Sequence, residues 1–297
     1  MTATIQPTRA ALLILAGMAV LGFADNLVRH ISGVSSLWQF HMIRGGMVVL
    51  VLSLASLFGA GALWPRKPKA VLARSAFTAG SMLIYFGCIA LLPIGVVVAG
   101  LFTAPLFVLI ISVLFQGKTV GWVRWLSVAL GFTGALLVIR PDPNALNLVA
   151  FLPIGAGLLY AIGAIATRAW CEDEDTLTLS VWFFGLLAIF GLIGVLVLPS
   201  EGTGAAGFPL RGWMPLTGDM LRWYVALAIG ALIGIICVFK AYQIGEASYV
   251  AIFEYSLLVF ASFWEWKLWD QRVPPLGLLG MALIIGAGSM IAIRTAE

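Results

Sequence analysis

The sequence predicts an all-α membrane protein with ten transmembrane helices, arranged as two inverted five-helix repeats around a central cavity. Three observations support this prediction: the composition, one long uncharged run and an internal repeat. Of the 297 residues, 62% are hydrophobic and 10% are charged, with a mean hydropathy of +1.06. Soluble domains carry about 25% charged residues. Because hydrocarbon offers the backbone no hydrogen-bond partners, long apolar runs favour helices over barrel strands.

The uncharged run lies between Arg74 and Lys118, where 43 residues contain no Lys, Arg, Asp or Glu, and Leu92-Pro93-Ile94-Gly95 divides it. One helical crossing of a hydrocarbon core about 30 Å thick uses about 20 residues, so this run predicts two helices and a tight turn. Uncharged intervals and Gly/Pro punctuation predict ten helices in all. They fall near residues 9–29, 37–60, 71–92, 95–116, 121–139, 147–169, 177–198, 221–243, 247–269 and 275–294.

The loops and termini give the expected orientation. Lys and Arg are more frequent on the side of the two termini, above all in the cluster from Arg66 to Arg74. The positive-inside rule therefore predicts that both termini lie in the cytoplasm. The longest loop, 199–220, is rich in Gly and Pro and is expected to be mobile, and the acidic run Glu172-Asp173-Glu174-Asp175 is expected to be a solvated cap. No cleavage site follows the first apolar segment, which we interpret as a retained helix.

An internal repeat relates the two halves of the chain. Residues 90–139 and 241–293 share one order: a short turn, a helix, a polar break and a Gly-containing helix that ends at Arg. Ala129-Leu130 matches Ala282-Leu283 at an offset of 153 positions. Two five-helix repeats, residues 1–140 and 141–297, account for this order. Since five is odd, the second repeat enters the membrane from the other side, a plan that recurs in secondary transporters.

The first two predicted helices resemble a known family. Gly22-Phe23-Ala24-Asp25-Asn26-Leu27-Val28-Arg29 and Leu37-Trp38-Gln39-Phe40-His41-Met42-Ile43-Arg44 are similar to the ten-helix EamA type of the drug/metabolite transporter superfamily. Pro105 resembles the proline of the family's fourth helix, although Gly-Lys replaces the Gly-Glu that usually follows. In the second half, Ser256 and Trp269-Asp270 stand where Pro and Gly-Glu are common. The resemblance implies a transporter rather than an enzyme, with no cofactor.

Three aromatic residues are assigned through this resemblance. Tyr85, Phe102 and Tyr160 resemble the mid-helix aromatic residues of bacterial aromatic amino acid exporters, which implies that they line a substrate cavity. Their rings offer flat apolar surfaces. Packing or lipid contact is the alternative role for aromatic residues in the middle of helices.

Charged residues at depth are the other candidates, because burying them in a membrane is costly. Glu254 lies in an apolar stretch of the ninth helix, beside Tyr255, and is a candidate for proton coupling or for binding a substrate amine, together with Tyr255 in the cavity. A structural role beside a Tyr, Ser or basic residue is the alternative. Arg44 is a candidate for a substrate carboxylate, which a guanidinium fork matches, or for a structural salt bridge. Asp25 and Asn26 either form a gate or simply end the first helix.

These features predict a secondary transporter that moves small metabolites by alternating access, and the family resemblance implies export of amino acids, including aromatic ones. No Walker A sequence is present, and the scattered Cys and His residues predict no metal site. A multidrug or cation exporter is one alternative, in which Glu254 and aromatic residues bind a cation. An intramembrane transferase is another, which would need acidic or His clusters. The expected partners are a small-molecule substrate, the lipid bilayer and protons, with no nucleic acid, and a monomer is expected.

Overall fold

The computed structural model describes residues 6–89, 91–145, 148–200 and 207–296. Within these ranges ten helices are long and apolar enough to cross a membrane, which confirms the predicted fold class. In chain order α1 to α10 are Pro7–Leu27, Leu37–Leu57, Pro68–Cys88, Ile94–Leu114, Trp122–Ile139, Phe151–Trp170, Thr176–Val197, Gly218–Ile244, Ala247–Trp269 and Pro275–Ala296. Short helical turns at Arg29–Ser32, Pro143–Ala145 and Leu148–Ala150 lie in the connections.

Local sequence sets several helix ends. Pro68 stands in the first turn of α3, where its missing N–H costs nothing, so α3 begins three residues earlier than its apolar pattern predicts. Ser36 caps α2, because its Oγ accepts a hydrogen bond from the backbone N–H of Gln39 at 3.1 Å. Thr217 caps α8 in the same way through the N–H of Met220 at 3.3 Å.

The helix contacts have two-fold symmetry. α1 packs on α8 as α6 packs on α3, and α9 packs on α1 as α4 packs on α6. In the pairs α2–α7 and α5–α10, each helix packs on its own equivalent in the other half. Exchanging the two five-helix halves therefore returns the same main helix pairs, as expected for an inverted repeat. The exact boundary between the halves, at residue 140, stays a prediction. Ten crossings place both chain ends on one side of the membrane, here called the terminal side; the other is the opposite side.

Two helices break near their middle. α4 consists of α4a, Ile94–Leu101, and α4b, Ala104–Leu114, whereas α9 consists of α9a, Ala247–Glu254, and α9b, Ser256–Trp269. Both first segments are eight residues long. Their starts are separated by 153 positions, the offset of the sequence repeat. The breaks are therefore equivalent features of the two repeats.

The two breaks have the same local cause. The hydroxyl of Thr103 donates to the carbonyl oxygen of Gly100 at 2.6 Å, and the hydroxyl of Ser256 donates to that of Phe253, also at 2.6 Å. Such side-chain bonds compete with the helical backbone ladder. In α4 the missing N–H of Pro105 weakens the ladder further.

An aromatic pair lies at the breaks. The rings of Phe102 and Tyr255 stack with centroids 5.9 Å apart and an angle of 22° between their planes. These residues are also 153 positions apart, so the pseudo-two-fold axis passes between their rings. Gly131 makes room for Tyr255, because a Cβ on Gly131 would lie 2.4 Å from the tyrosine ring. The pair lies near the middle of the membrane, about 12 Å from the start of each helix.

Hydrogen bonds join the second part of the loop between α7 and α8 to neighbouring segments. The guanidinium of Arg211, which is 2% exposed, donates through Nε to the carbonyl oxygen of Ser35 at 3.0 Å. The indole N–H of Trp38 donates to the carbonyl oxygen of Pro209 at 2.8 Å. The second part of the loop is thus bound to the connection between α1 and α2 and to the first turn of α2, and its mobility stays a prediction. Residues 201–206 lie outside the described residues.

The acidic run between α6 and α7 is more than a solvated cap. Glu174 is only 5% exposed, and its carboxylate accepts hydrogen bonds from the backbone N–H groups of Arg66 and Lys67 at 3.0 and 2.7 Å. Asp175 accepts another from Ala62 at 2.8 Å. The prediction was wrong for Glu174 because the connection between α2 and α3 supplies unpaired N–H groups that a carboxylate satisfies.

An ion pair fastens the connection between α8 and α9 to α5. Arg124 donates to Glu246 Oε1 at 2.6 Å, and Ser248 donates to the same oxygen at 3.1 Å. Burial acts to raise the pKa of Glu246, but the hydrogen bonds from Arg124 and Ser248 and the charges of Arg124 and Lys118 outweigh it, so the pKa lies below its ordinary value. A carboxyl with a lowered folded-state pKa stabilises the fold above its unfolded pKa, and this contribution is lost as the pH falls through the folded value.

Replacing Glu246 with glutamine is therefore expected to lower the melting temperature of the detergent-purified protein by about 2–5 °C at pH 7, with a smaller difference as the pH falls below 4. Thermal unfolding at pH 7 and at a pH below about 4 measures this difference. The control is Asp219→Asn, since the Asp219–Arg222 pair has side chains 77% and 81% exposed and such pairs contribute little. Equal destabilisation by Glu246→Gln at both pH values would contradict the expectation.

Candidate functional site

A polar cluster lies on the terminal side of the aromatic pair. The hydroxyls of Tyr160 in α6 and Tyr242 in α8 both donate to Oε1 of Glu254, at 2.7 and 2.9 Å. Glu254 ends α9a and is 7% exposed. We call these three residues the Glu254 cluster. The cluster joins three helices. Glu254 thus has tyrosine partners, as a structural role would require, and its role in proton coupling stays a prediction.

The two sides of the membrane are packed differently. On the terminal side α9a packs against α4b, whereas their symmetry counterparts on the opposite side, α9b and α4a, are not in comparable contact. The Glu254 cluster reinforces the packed side. Between α4 and α9, the bundle is therefore closed on the terminal side and looser on the opposite side. Alternating access in an inverted repeat consists of exchanging these two arrangements.

A second cluster lies on the opposite side and is built around Arg44 in α2. Arg44 is 8% exposed, its buried Nε has no hydrogen-bond partner, and no described ion pair includes it. Its guanidinium carbon lies 4.3 Å from the ring centroid of Phe40 and 5.5 Å from that of Phe86. Asp25 in α1 is exposed and interacts electrostatically with Arg44 and with Tyr85 in α3. We call Asp25, Arg44, Tyr85 and Phe86 the Arg44 cluster.

His41 borders this cluster one helical turn from Arg44. It is fully buried, and neither of its ring nitrogens has a hydrogen-bond partner. Its ring centroid lies 5.3 Å from that of Phe86. Buried polar groups normally have partners. Two neighbouring side chains with unmet hydrogen-bonding capacity therefore mark this region as a place for a polar ligand.

The structure separates the predicted site residues into three levels. Asp25, Arg44 and Tyr85 lie together on the opposite side. Phe102 and Tyr255 lie at the centre, where both are buried. Tyr160 and Glu254 lie together on the terminal side. Substrate contact by any of them stays a prediction.

Asn26 differs from the other gate candidate, Asp25, in that its side chain is hydrogen-bonded. Its Nδ2 donates to the carbonyl oxygen of Gly22 at 2.8 Å and to that of Ala261 in α9 at 3.1 Å. These bonds fasten α1 to α9. The carboxylate of Asp25 has no hydrogen-bond partner among the described contacts, and whether Asp25 and Asn26 form a gate or end the first helix stays a prediction.

Sequence reasoning missed Tyr242, Phe86 and Arg74. Tyr242 lies in the last turn of α8, where a tyrosine is typical of the membrane interface. Arg74 was counted only as part of the basic cluster that sets orientation, yet it is 1% exposed. The small polar residues Ser75, Thr78 and Ser81, which are all buried, are the sequence signal that indicates a buried polar face of α3. Within the described residues, no group of three His, Cys, Asp or Glu side chains could hold a metal ion.

The fold and the clusters define a class of protein. Two inverted five-helix halves, breaks on the pseudo-two-fold axis and charged clusters on both sides of it are the architecture of a membrane transporter. The chain belongs to the EamA-like transporter family, which matches residues 8–140 and again 147–293.

Individual relatives agree with this class. The riboflavin transporter of Rhizobium johnstonii is 26% identical over 297 residues, covering 97% of this chain and 93% of the relative. The pseudopaline exporter CntI of Pseudomonas aeruginosa is 24% identical over 265 residues, covering 88% of each chain. A solved structure that is 16% identical has a TM-score of 0.78 over 97% of this chain and 99% of its own, which shows the shared fold. Neither relative's name mentions amino acids, so these names do not support the predicted amino acid substrates.

Proposed function

We propose that this chain is a secondary transporter for a small metabolite with a flat heteroaromatic ring, with riboflavin as the first substrate to test. The observation that carries the proposal is Arg44, a buried guanidinium without an ion-pair partner that lies against two phenylalanine rings and near Asp25. The similarity to a riboflavin transporter adds support. We place the protein in the bacterial inner membrane with its terminal side in the cytoplasm, because Lys and Arg are more frequent on that side.

The chemistry of the Arg44 cluster fits a flavin ring. One edge of the isoalloxazine ring carries two carbonyl oxygens on either side of an N–H group. A guanidinium donates to such oxygens, and a carboxylate accepts from the N–H. Tyr85 and Phe86 offer aromatic surfaces beside these two charged groups, and flat rings pack on such surfaces.

An amino acid is the second candidate substrate, and the opposite charges of Asp25 and Arg44 favour it. The substrate carboxylate would bind Arg44, its ammonium group would bind Asp25, and an aromatic side chain would contact Tyr85 or the central pair of Phe102 and Tyr255. Export, the predicted direction, is tested together with the substrate.

Proteoliposomes that contain the purified protein test both candidates. We expect saturable uptake of radiolabelled riboflavin above that of protein-free liposomes, and measurements with labelled phenylalanine and tryptophan compare the second candidate. Transport of amino acids but not of riboflavin would reject riboflavin as the substrate and favour an amino acid. Transport of none of the three would overturn the proposal. Vesicles of both orientations then give the direction.

A further inference from the structure

Arg74 in α3 is a second buried guanidinium, on the terminal side. Its Nε donates to Thr167 Oγ1 at 2.8 Å, and its Nη1 lies 3.4 Å from the carbonyl oxygen of Leu179. The guanidinium carbon lies 3.6 Å from the ring centroid of Phe239. All three partners are neutral, and no carboxylate pairs with Arg74 among the described ion pairs. A guanidinium has five N–H donors, of which these bonds use two.

A small cavity adjoins Arg74. It has a volume of about 10 Å³, enough for roughly one water molecule, and its lining includes Thr78, Tyr160 and Tyr242. These two tyrosines are the ones that bind Glu254, so the cavity lies directly behind the Glu254 cluster. Glu254 itself is bound by hydroxyls and not by Arg74. Glu254 therefore does not neutralise the charge of Arg74 through an ion pair.

Arg74 has the same environment as Arg44. Each guanidinium is buried, lies on a phenylalanine ring and belongs to no described ion pair, although Asp25 interacts electrostatically with Arg44. The two lie on different sides of the Phe102–Tyr255 pair. An unneutralised buried charge is expensive to maintain. A transporter gains from such a charge if a ligand neutralises it for part of the cycle.

We propose that Arg74 is a second subsite for a substrate oxygen, which holds a ring carbonyl oxygen or a carboxylate of a small planar molecule when the terminal side is open. This inference rests on the proposed function, because it takes Arg44 as the first subsite. Opening the terminal side would separate Tyr160 and Tyr242 from Glu254 and enlarge the cavity in front of Arg74. Closing it returns the hydroxyls to Glu254 and leaves space for a single water molecule.

Binding of benzoate, a flat carboxylate, tests the subsite without any need for transport. Thermal unfolding of the purified protein is measured with and without benzoate, since a ligand that binds only the folded state raises the melting temperature. We expect Arg44→Gln to retain a benzoate-dependent rise. In that background, adding Arg74→Gln is expected to abolish the rise, equivalent to at least a tenfold higher Kd. Adding Arg74→Lys keeps the charge but not the fork, so we expect a threefold to tenfold weaker Kd.

Several outcomes would overturn the subsite. Loss of the rise in Arg44→Gln alone would show that benzoate binds only at Arg44. A full rise in Arg44→Gln/Arg74→Gln would place the ligand elsewhere. If the glutamine variant does not fold, an unchanged benzoate Kd in Arg44→Gln/Arg74→Lys would contradict the proposal. Failure of the wild type to transport riboflavin or amino acids, with the rise retained in Arg44→Gln, would instead reject the proposed function and leave the subsite standing.

Discussion

Replacing Arg44 with alanine is expected to lower kcat/KM for substrate transport by about 10- to 100-fold. The substitution removes a charged hydrogen-bond donor from a buried site, and such bonds contribute about 1.5–3 kcal/mol. Each 1.4 kcal/mol corresponds to about a factor of ten. No described ion pair includes Arg44, and Asp25, which interacts with it electrostatically, is exposed, so the loss should fall on substrate binding rather than on folding.

Initial rates of riboflavin or amino acid uptake into proteoliposomes measure this effect. Arg44→Lys separates charge from geometry: it should retain part of the activity if a single charge suffices, and little if the substrate needs the guanidinium fork. Arg222→Ala is the matched control, because Arg222 is a surface arginine with a side chain 81% exposed. A kcat/KM of Arg44→Ala within twofold of the wild type would remove Arg44 from the substrate site.

Most of the fold could be predicted from the sequence. Uncharged intervals of the right length gave the ten crossings, and the offset of 153 positions between Ala129-Leu130 and Ala282-Leu283 also relates the two mid-helix breaks. The break in α4 has a visible cause in Pro105. The break in α9 does not, because Ser256 bends the helix through a side-chain hydrogen bond that serine makes only in some contexts.

The candidate site was less predictable, because its contacts join distant parts of the chain. Tyr160 and Glu254 are 94 positions apart and lie in different helices of the second half. Nothing in the local pattern around Tyr242 indicates that its hydroxyl reaches the same carboxylate oxygen. The sequence shows that Arg74 is part of the basic cluster that sets the topology. It does not show that Arg74 is buried, because burial depends on how α3 packs against α6 and α7.

The chemistry of the two halves differs although their backbones are related by symmetry. At the offset of 153 positions, Glu254 corresponds to Leu101 and Arg74 corresponds to Leu227. The acid and the second arginine therefore occur only on the terminal side. Exchanging the two arrangements of the helices would expose one set of charges to each side of the membrane in turn. The two sides of the membrane therefore present different buried charges.

Glu254→Gln is expected to abolish the stimulation of transport by an imposed proton gradient, while the substrate Kd changes less than about threefold. Glutamine still offers an amide oxygen to the hydroxyls of Tyr160 and Tyr242, so the closed terminal side is preserved. It cannot bind or release a proton, so a proton-coupled cycle would lose its driving step. Uptake with and without the gradient, together with equilibrium binding, measures both quantities.

The control for this experiment is Glu265→Gln, because Glu265 is an exposed carboxylate in the same helix. It should keep the full response to the gradient. Tyr160→Phe removes one hydroxyl but leaves the carboxylate, so it should retain coupling while it weakens closure of the terminal side. If Glu254→Gln responds to the gradient as the wild type does, Glu254 serves only to bind the two tyrosines. If the wild type does not respond at all, transport is driven by the substrate's own gradient, and the Glu254 cluster acts as a latch that closes the terminal side.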